Sequence, residues 1–301
     1  MGTAEREQLG FWADTRTAPI ADPINVNNHV VIGDVGGHLS FFTHILRQVG
    51  WNSNTGKLPP KITVVQVGDL VHKGPQSDAC VTLANQLIKA NPDTYIQLVG
   101  NHEAHYLGGP NVSERSGVKQ ISTTSVNTLQ RWWDQKLMRV AYAIPNSIEY
   151  GPTLITHGGV TAGFFHDLGS PKTVCETANV LNAAADNTSF IFRPGALMTN
   201  IVDLSAGPIC PRTGTELVDS WLDADTLPFS QIHGHESVWF WPNDTYHNDV
   251  PKRVRAVTSI DRFRRFCWAT IDGRVLYSVD PTLGTTMPDG YSPTALTIRT
   301  L

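Results

Sequence analysis

Along the first hundred residues, short apolar β-branched runs alternate with segments whose apolar positions fall at helical spacing. His29-Val-Val-Ile-Gly33 predicts a buried strand that stops on a glycine. Leu39, Phe42, Ile45, Leu46 and Val49 share one helical face, and Gly50 is placed to end that helix. Ile62-Thr-Val-Val-Gln-Val67 predicts a second strand. Val81, Ala84, Leu87 and Ile88 predict a second helix capped by Ser77, and Tyr95-Ile-Gln-Leu-Val99 predicts a third strand. This alternation predicts an α/β unit with parallel strands. Beyond it the period is lost. Residues 108–150 hold Gly/Pro and Ser/Thr clusters and then a helix over 125–137; residues 160–227 show no clean period. Both read as helical or loop insertions between strands. Strand signals return at 153–156 and 229–233, then at 254–260, 266–271 and 274–279, with Asp272-Gly273 as a hairpin turn. Residues 1–28 read as a loosely packed arm, 29–285 as one domain and 286–301 as a C-terminal tail.

Composition narrows the function classes. With 301 residues and 41% hydrophobic positions the chain can build a sizeable core. A net charge of −4 argues against a nucleic-acid duplex as partner, because such binders carry a basic surplus. No apolar run is long enough to span a bilayer, and the first residues lack an apolar signal core, so a cytoplasmic protein is expected. Cys80, Cys175, Cys210 and Cys267 show neither a disulfide framework nor zinc-ribbon spacing. The 11 histidines against 23 Lys plus Arg are the unusual number, and their placement is informative.

Five predicted strands end in polar clusters: Gly33-Asp34-Val35-Gly36-Gly37-His38, Gly68-Asp69-Leu70-Val71-His72-Lys73-Gly74-Pro75, Gly100-Asn101-His102-Glu103, His157-Gly158-Gly159 and His233-Gly234-His235. In open α/β sheets ligands bind at the carboxyl ends of strands, so these clusters are expected to converge on one crevice. Oxygen and imidazole donors without thiolate suit Mn, Fe, Zn or Mg. Each cluster alone is an ordinary turn; the ordered set of five is what carries information.

That set resembles the calcineurin-like metallophosphoesterase superfamily, nearest its phosphoprotein phosphatase and bacterial Shewanella-like branch. Residues 100–103 and 157–159 match the family's GNHE and HGG motifs outright, and Phe192-Arg193-Pro-Gly falls where bacterial members place a phosphate-holding arginine. The resemblance implies a four-layer α/β/β/α sandwich with helical insertions. It implies that Asp69 bridges two divalent metals about 3.5 Å apart, that Asp34 binds the first, and that Asn101, His157 and His235 complete the second. It implies attack on phosphorus by a metal-activated water, with His102 as general acid, Asp69 and Asn101 in the catalytic centre, and Lys73, Arg193 and Asn101 on the phosphate. The substrate is then a phosphorylated small molecule or a phosphoprotein, and substrate choice falls to the two insertions.

Two motifs depart from the pattern. Gly36 stands where the family has a metal-binding histidine; His38 is a candidate replacement if the loop bends back, and otherwise supports the helix start. His72 stands where an aspartate orients the catalytic histidine, and Lys73 where an arginine grips phosphate. Two functions follow: a phosphatase with an altered first metal site, or a catalytically weakened relative that binds a phosphorylated ligand or a protein without turnover. The basic stretch Lys252, Arg253, Arg255, Arg262, Arg264 and Arg265 is either a solvated face or a steering surface. Trp132 and Trp133 are core residues or a base-stacking lid, and His105 either lines the crevice or lies on the surface.

Overall fold

Among the described residues thirteen strands form where β-branched runs meet glycine or polar stops, and in several places where no such run was legible. The chain is described by a computed structural model over residues 26–111, 119–224, 226–288 and 290–301. The arm read over residues 1–28 lies outside these except for its last residues, which enter β1 (Asn27–Ile32). The other strands are β2 (Ile62–Gln66), β3 (Tyr95–Leu98), β4 (Met138–Arg139), β5 (Ala141–Ser147), β6 (Gly151–Thr156), β7 (Ser230–His233), β8 (Trp239–Phe240), β9 (Thr245–Tyr246), β10 (Thr258–Asp261), β11 (Phe266–Ile271), β12 (Arg274–Ser278) and β13 (Leu296–Thr300). Apart from the small β8–β9 ribbon they form one array in the order β10-β11-β12-β7-β6-β5-β13-β1-β2-β3-β4.

The array is two sheets joined at a seam, where β13 meets β5 through Thr300 and Ser147. Strands β1 to β4 run parallel on one side; β6, β7 and β12 run parallel on the other. Side-chain alternation shows the layering. Val31, Val65, Ile96 and Leu98 of the first half meet Ile155, Ile232, Phe266 and Tyr277 of the second in one buried cluster between the sheets. Their neighbours Val30, Ile32, Val64 and Tyr95 point the other way, into a cluster with the helices over the first half. Cys267, Ala269 and Leu276 likewise leave the second half for a cluster with Leu217, Trp221 and Val254. Helix, sheet, sheet and helix is the expected four-layer order.

The helices of the first half are α1 (Leu39–Val49), α2 (Ser77–Ala90), the short α3 (Asn101–Ala104) and α4 (Thr123–Asp134). Gly50 ends α1 at φ 91, and its N–H satisfies the last carbonyls. Asp272 and Gly273 turn the β11–β12 hairpin, both at positive φ. Trp132 and Trp133 are core residues, not a lid.

Four expectations fail. Residues 252–257 are helical rather than extended, burying only Val254; an alternation of three apolar positions also fits one and a half helical turns, and the strand begins at Thr258. Residues 141–147, read as insertion, are β5; Pro145 and a register shift between Ile144 and Ser147 break the period that would have revealed it. The segment read as a C-terminal tail supplies β13, antiparallel to β1 near the middle of the array. Ser77 does not cap α2 but lies within it, and its hydroxyl accepts the His72 N–H at 2.9 Å. Among the described residues no helix is long and apolar enough to cross a membrane.

Candidate active site

The carboxyl ends of β1, β2, β3, β7 and β12 open on one cleft of about 150 Å³, and His157, after β6, is buried beside Asp69. Its wall includes Asp34, Gly36, Asp69, Lys73, Asn101 and His102. Asp34 follows β1, and both its carboxylate oxygens accept the His235 N–H at 3.1 Å. Asp69 sits at φ 53, a conformation that Asp tolerates better than most residues. Its Oδ1 accepts the His102 N–H at 3.0 Å and lies 3.4 Å from His157 Nε2. Glu103, fully buried, holds this loop: Oε2 accepts from Asp69 N at 2.7 Å and Gly100 N at 3.0 Å, and Oε1 from Leu70 N at 2.8 Å.

Three donors converge beside Asp69. Asn101 Oδ1 lies 3.0 Å from His157 Nε2 and 2.9 Å from His235 Nδ1. The Val67 carbonyl is 2.9 Å from His157 Nδ1, which fixes the proton there and leaves Nε2 bare toward Asp69 and Asn101. Asp34, Asp69 and His157 each bring a ligand atom within 4.8 Å of the others, the spacing of a metal nest. Burial pushes Asp34 well above the usual carboxylate range, with the charges of Asp280 and Asp69 adding to it. Burial also pushes Asp69 up, but the facing His102 and His157 outweigh it and hold it at about 2. Burial lowers His157 and, more strongly, His235, so both are neutral donors.

Asp280 was not singled out from the sequence. It follows β12 and lines the same cleft; burial pushes it up to about 6, and Thr282 N donates to it at 2.7 Å. The signal that finds it is the one used for the other five, a polar residue just past an apolar strand; the hairpin reading stopped one residue short. Leu197 and Met198, from the 160–227 insertion, form an apolar part of the cleft wall.

Two proposed site residues lie elsewhere. The His38 ring is bonded from Nε2 to the Gly284 carbonyl at 2.9 Å and is not in the cleft wall, so it does not replace the missing ligand; nor does its side chain cap α1. Arg193 is held by Asp203 through Nε at 2.7 Å and Nη2 at 3.0 Å, outside the cleft wall. At Gly36, φ is 55 and a Cβ would meet the Lys73 stem at 3.4 Å and the His38 ring at 4.0 Å. His72, which stands where the family has an orienting aspartate, faces His102, Nδ1 to Nδ1 at 2.6 Å. His105 stacks edge-on to Tyr106 and lies outside the cleft wall. In the basic stretch Arg253 pairs with Asp219, Arg262 with Asp244 and Arg264 with Asp261, which fits a solvated, internally paired face.

His233 sits beneath the site, its Nδ1 2.9 Å from the Gly234 carbonyl. Burial pushes its imidazole from 6.5 down to about 4. A folded-state pKa below the unfolded value means that the unfolded chain takes up the proton first as pH falls. The stability from keeping His233 neutral is full above pH 6.5 and is lost toward pH 4, on the order of 3 kcal/mol. Urea unfolding of the metal-free chain is therefore expected to show stability dropping over this window, and His233→Asn to flatten the drop; an unchanged slope in the variant would rule this group out as the cause.

A family model of the calcineurin-like phosphoesterases matches residues 29–247. Among solved structures, the chain is similar to the cold-active protein-tyrosine phosphatase of the psychrophile Shewanella sp., with 17% identity, 90% of this chain and 80% of that one covered, and a TM-score of 0.49. A protein serine/threonine phosphatase from Saccharomyces cerevisiae matches with 14% identity over 87% of this chain and 82% of that one, TM-score 0.41. No curated protein sequence matches.

Proposed function

The chain belongs to the calcineurin-like phosphoesterase family, and on that premise we propose that it is a metal-dependent hydrolase of phosphate monoesters. The observation that carries this reading is the meeting of His157 Nε2, His235 Nδ1, Asn101 Oδ1 and the Asp69 carboxylate at one buried point, with the His157 Nδ1 proton directed at the Val67 carbonyl. A cation among these atoms would pair with the Asp69 charge and take up the ring and amide electron pairs. The three buried carboxylates Asp34, Asp69 and Asp280 at the same cleft add to that demand for positive charge. The donor set therefore fits a hard or borderline divalent ion: manganese, iron, zinc or magnesium. Asn101, His157, His235 and Asp69 are the holders on one side. Asp34 would join Asp69 and His157 in holding an ion, and Asp280 adds a further carboxylate to the cleft wall.

Bound divalent ions contribute Lewis acidity toward the phosphoryl oxygens and acidify water for attack on phosphorus. The chain supplies the rest. Lys73 places its ammonium in the cleft as a point charge for the phosphate. His102 presents Nε2 to the cleft, 3.8 Å from Asp69 Oδ2, where it can give a proton to the leaving oxygen. Glu103 holds the Asp69 and Gly100 backbones so that these groups keep their positions.

Turnover is tested by phosphate release from aryl and alkyl phosphates with added manganese, and by its loss on chelation. Lys73→Ala is expected to raise KM about tenfold, whereas Arg193→Ala leaves KM within about twofold, because its guanidinium already faces Asp203. Gly36 and the absence of a histidine from that part of the cleft wall favour a second reading, a binding protein without turnover. Metal binding with no phosphate release under any divalent ion would establish it over the first.

A further inference from the structure

His72 stands behind the proposed acid, and its partners form a line. Its Nδ1 is 2.6 Å from His102 Nδ1, and its Nε2 is 2.7 Å from Tyr106 Oη. Tyr106 Oη in turn donates to Gln120 Oε1 at 3.4 Å. His72 is buried, and its ring is held at both nitrogens, by His102 and by Tyr106. The Tyr106 hydroxyl directed at Gln120 matches one direction of the protons along this line. In it Tyr106 accepts from His72 Nε2–H. His72 Nδ1 is then bare and accepts from His102 Nδ1–H, which leaves His102 Nε2 for the cleft.

We propose that His72 and Tyr106 are positioning residues for the phosphoester reaction, a neutral imidazole–phenol relay that fixes the ring and tautomer of His102 in place of a carboxylate. As the phosphorus–oxygen bond breaks, the Nε2 proton of His102 passes to the leaving oxygen, and the Nδ1 proton stays in the bond to His72. Burial, together with the neighbouring His102, keeps His72 uncharged, so it orients the acid without adding a second charge beside Asp69. The proposal rests on His102 being the acid, and the experiment separates the two.

Full-length protein with manganese is assayed on 4-nitrophenyl phosphate, whose leaving group needs little protonation, and on phenyl phosphate, whose leaving group needs more. His102→Ala is expected to lose about 10²-fold in kcat on phenyl phosphate and only a few-fold on the nitrophenyl ester. His72→Ala is expected to show the same selectivity at about 30-fold, with KM unchanged, and Tyr106→Phe a weaker selective loss of about fivefold. His72→Asp, which suits the backbone at φ 73, is expected to recover most of the phenyl phosphate rate. Thermal melts check that the variants fold, and Tyr106→Phe carries the test if His72→Ala does not. Equal losses on both esters in the His72 and Tyr106 variants, with His102→Ala still selective, would overturn the relay. An unselective His102→Ala would overturn the acid assignment itself, and the relay with it.

Discussion

Asp69→Asn is expected to remove activity by at least about 10³-fold, a loss of ~4 kcal/mol in transition-state stabilisation, while leaving the fold intact. The substitution keeps size and shape, and asparagine tolerates the positive φ of 53 at this position. It removes the charge that faces His157 Nε2 at 3.4 Å and His102 Nε2 at 3.8 Å, and it can turn an NH₂ group toward those rings. Manganese titration by calorimetry is expected to show binding weakened at least about 10-fold, since the variant loses one of the two carboxylates grouped with His157. Circular dichroism melts report on the fold. A variant that binds manganese and releases phosphate at the native rate would refute the placement of the catalytic centre at Asp69.

Gly100→Ala is expected to disable the site by crowding rather than by chemistry. At φ −101 alanine is conformationally acceptable, so no backbone penalty applies. The added Cβ, however, would lie 2.2 Å from Asp69 Oδ1 and 2.3 Å from Asp69 N, and 2.8 Å from Glu103 Oε2. The two loops cannot separate without breaking the bonds from Asp69 N and Gly100 N to Glu103. Overpacking of this kind costs about 3 kcal/mol, read as a shifted urea midpoint with unchanged slope. A fall of about 10²-fold in kcat is expected to accompany it, because Asp69 is the group displaced. Gly273→Ala is the contrast: its Cβ meets nothing within 4 Å, and only the left-handed φ of 75 opposes it. That variant should lose about 1 kcal/mol and keep its activity. Similar activity losses in both would show that the Gly100 contact with Asp69 is not what matters.

The glycines at the strand ends thus have a different role from the one their motifs suggest. Glycines in such motifs let backbone approach a ligand closely. In the structure they let the site loops approach each other: a Cβ on Gly234 would lie 2.1 Å from Asp34 Oδ1, and one on Gly33 2.1 Å from the Val279 carbonyl. Position in a motif is legible along the chain, but the atom that a missing side chain makes room for is not.

Local pattern determined much of this protein. Short apolar β-branched runs with polar ends defined β1, β2, β3, β6 and β7, alternation defined the β11–β12 hairpin, and the rule that ligands gather at strand carboxyl ends placed Asp34, Asp69, Asn101, His157 and His235 together. Such reasoning works because periodicity fixes which face of an element is buried, and strand direction fixes which end carries the loop. The tertiary structure decided everything that depends on partners distant in sequence. It put β13 between β1 and β5, brought Asp280 to the cleft from the far end of the chain, set the Lys73 stem beside Gly36, tied Arg193 to Asp203, and set the ring of His72 against His102. Each of these depends on segments that packing, not local spacing, brings together. Residue spacing along one strand or helix carries no information about which of several loops will reach a shared point in space, and only packing resolves that choice.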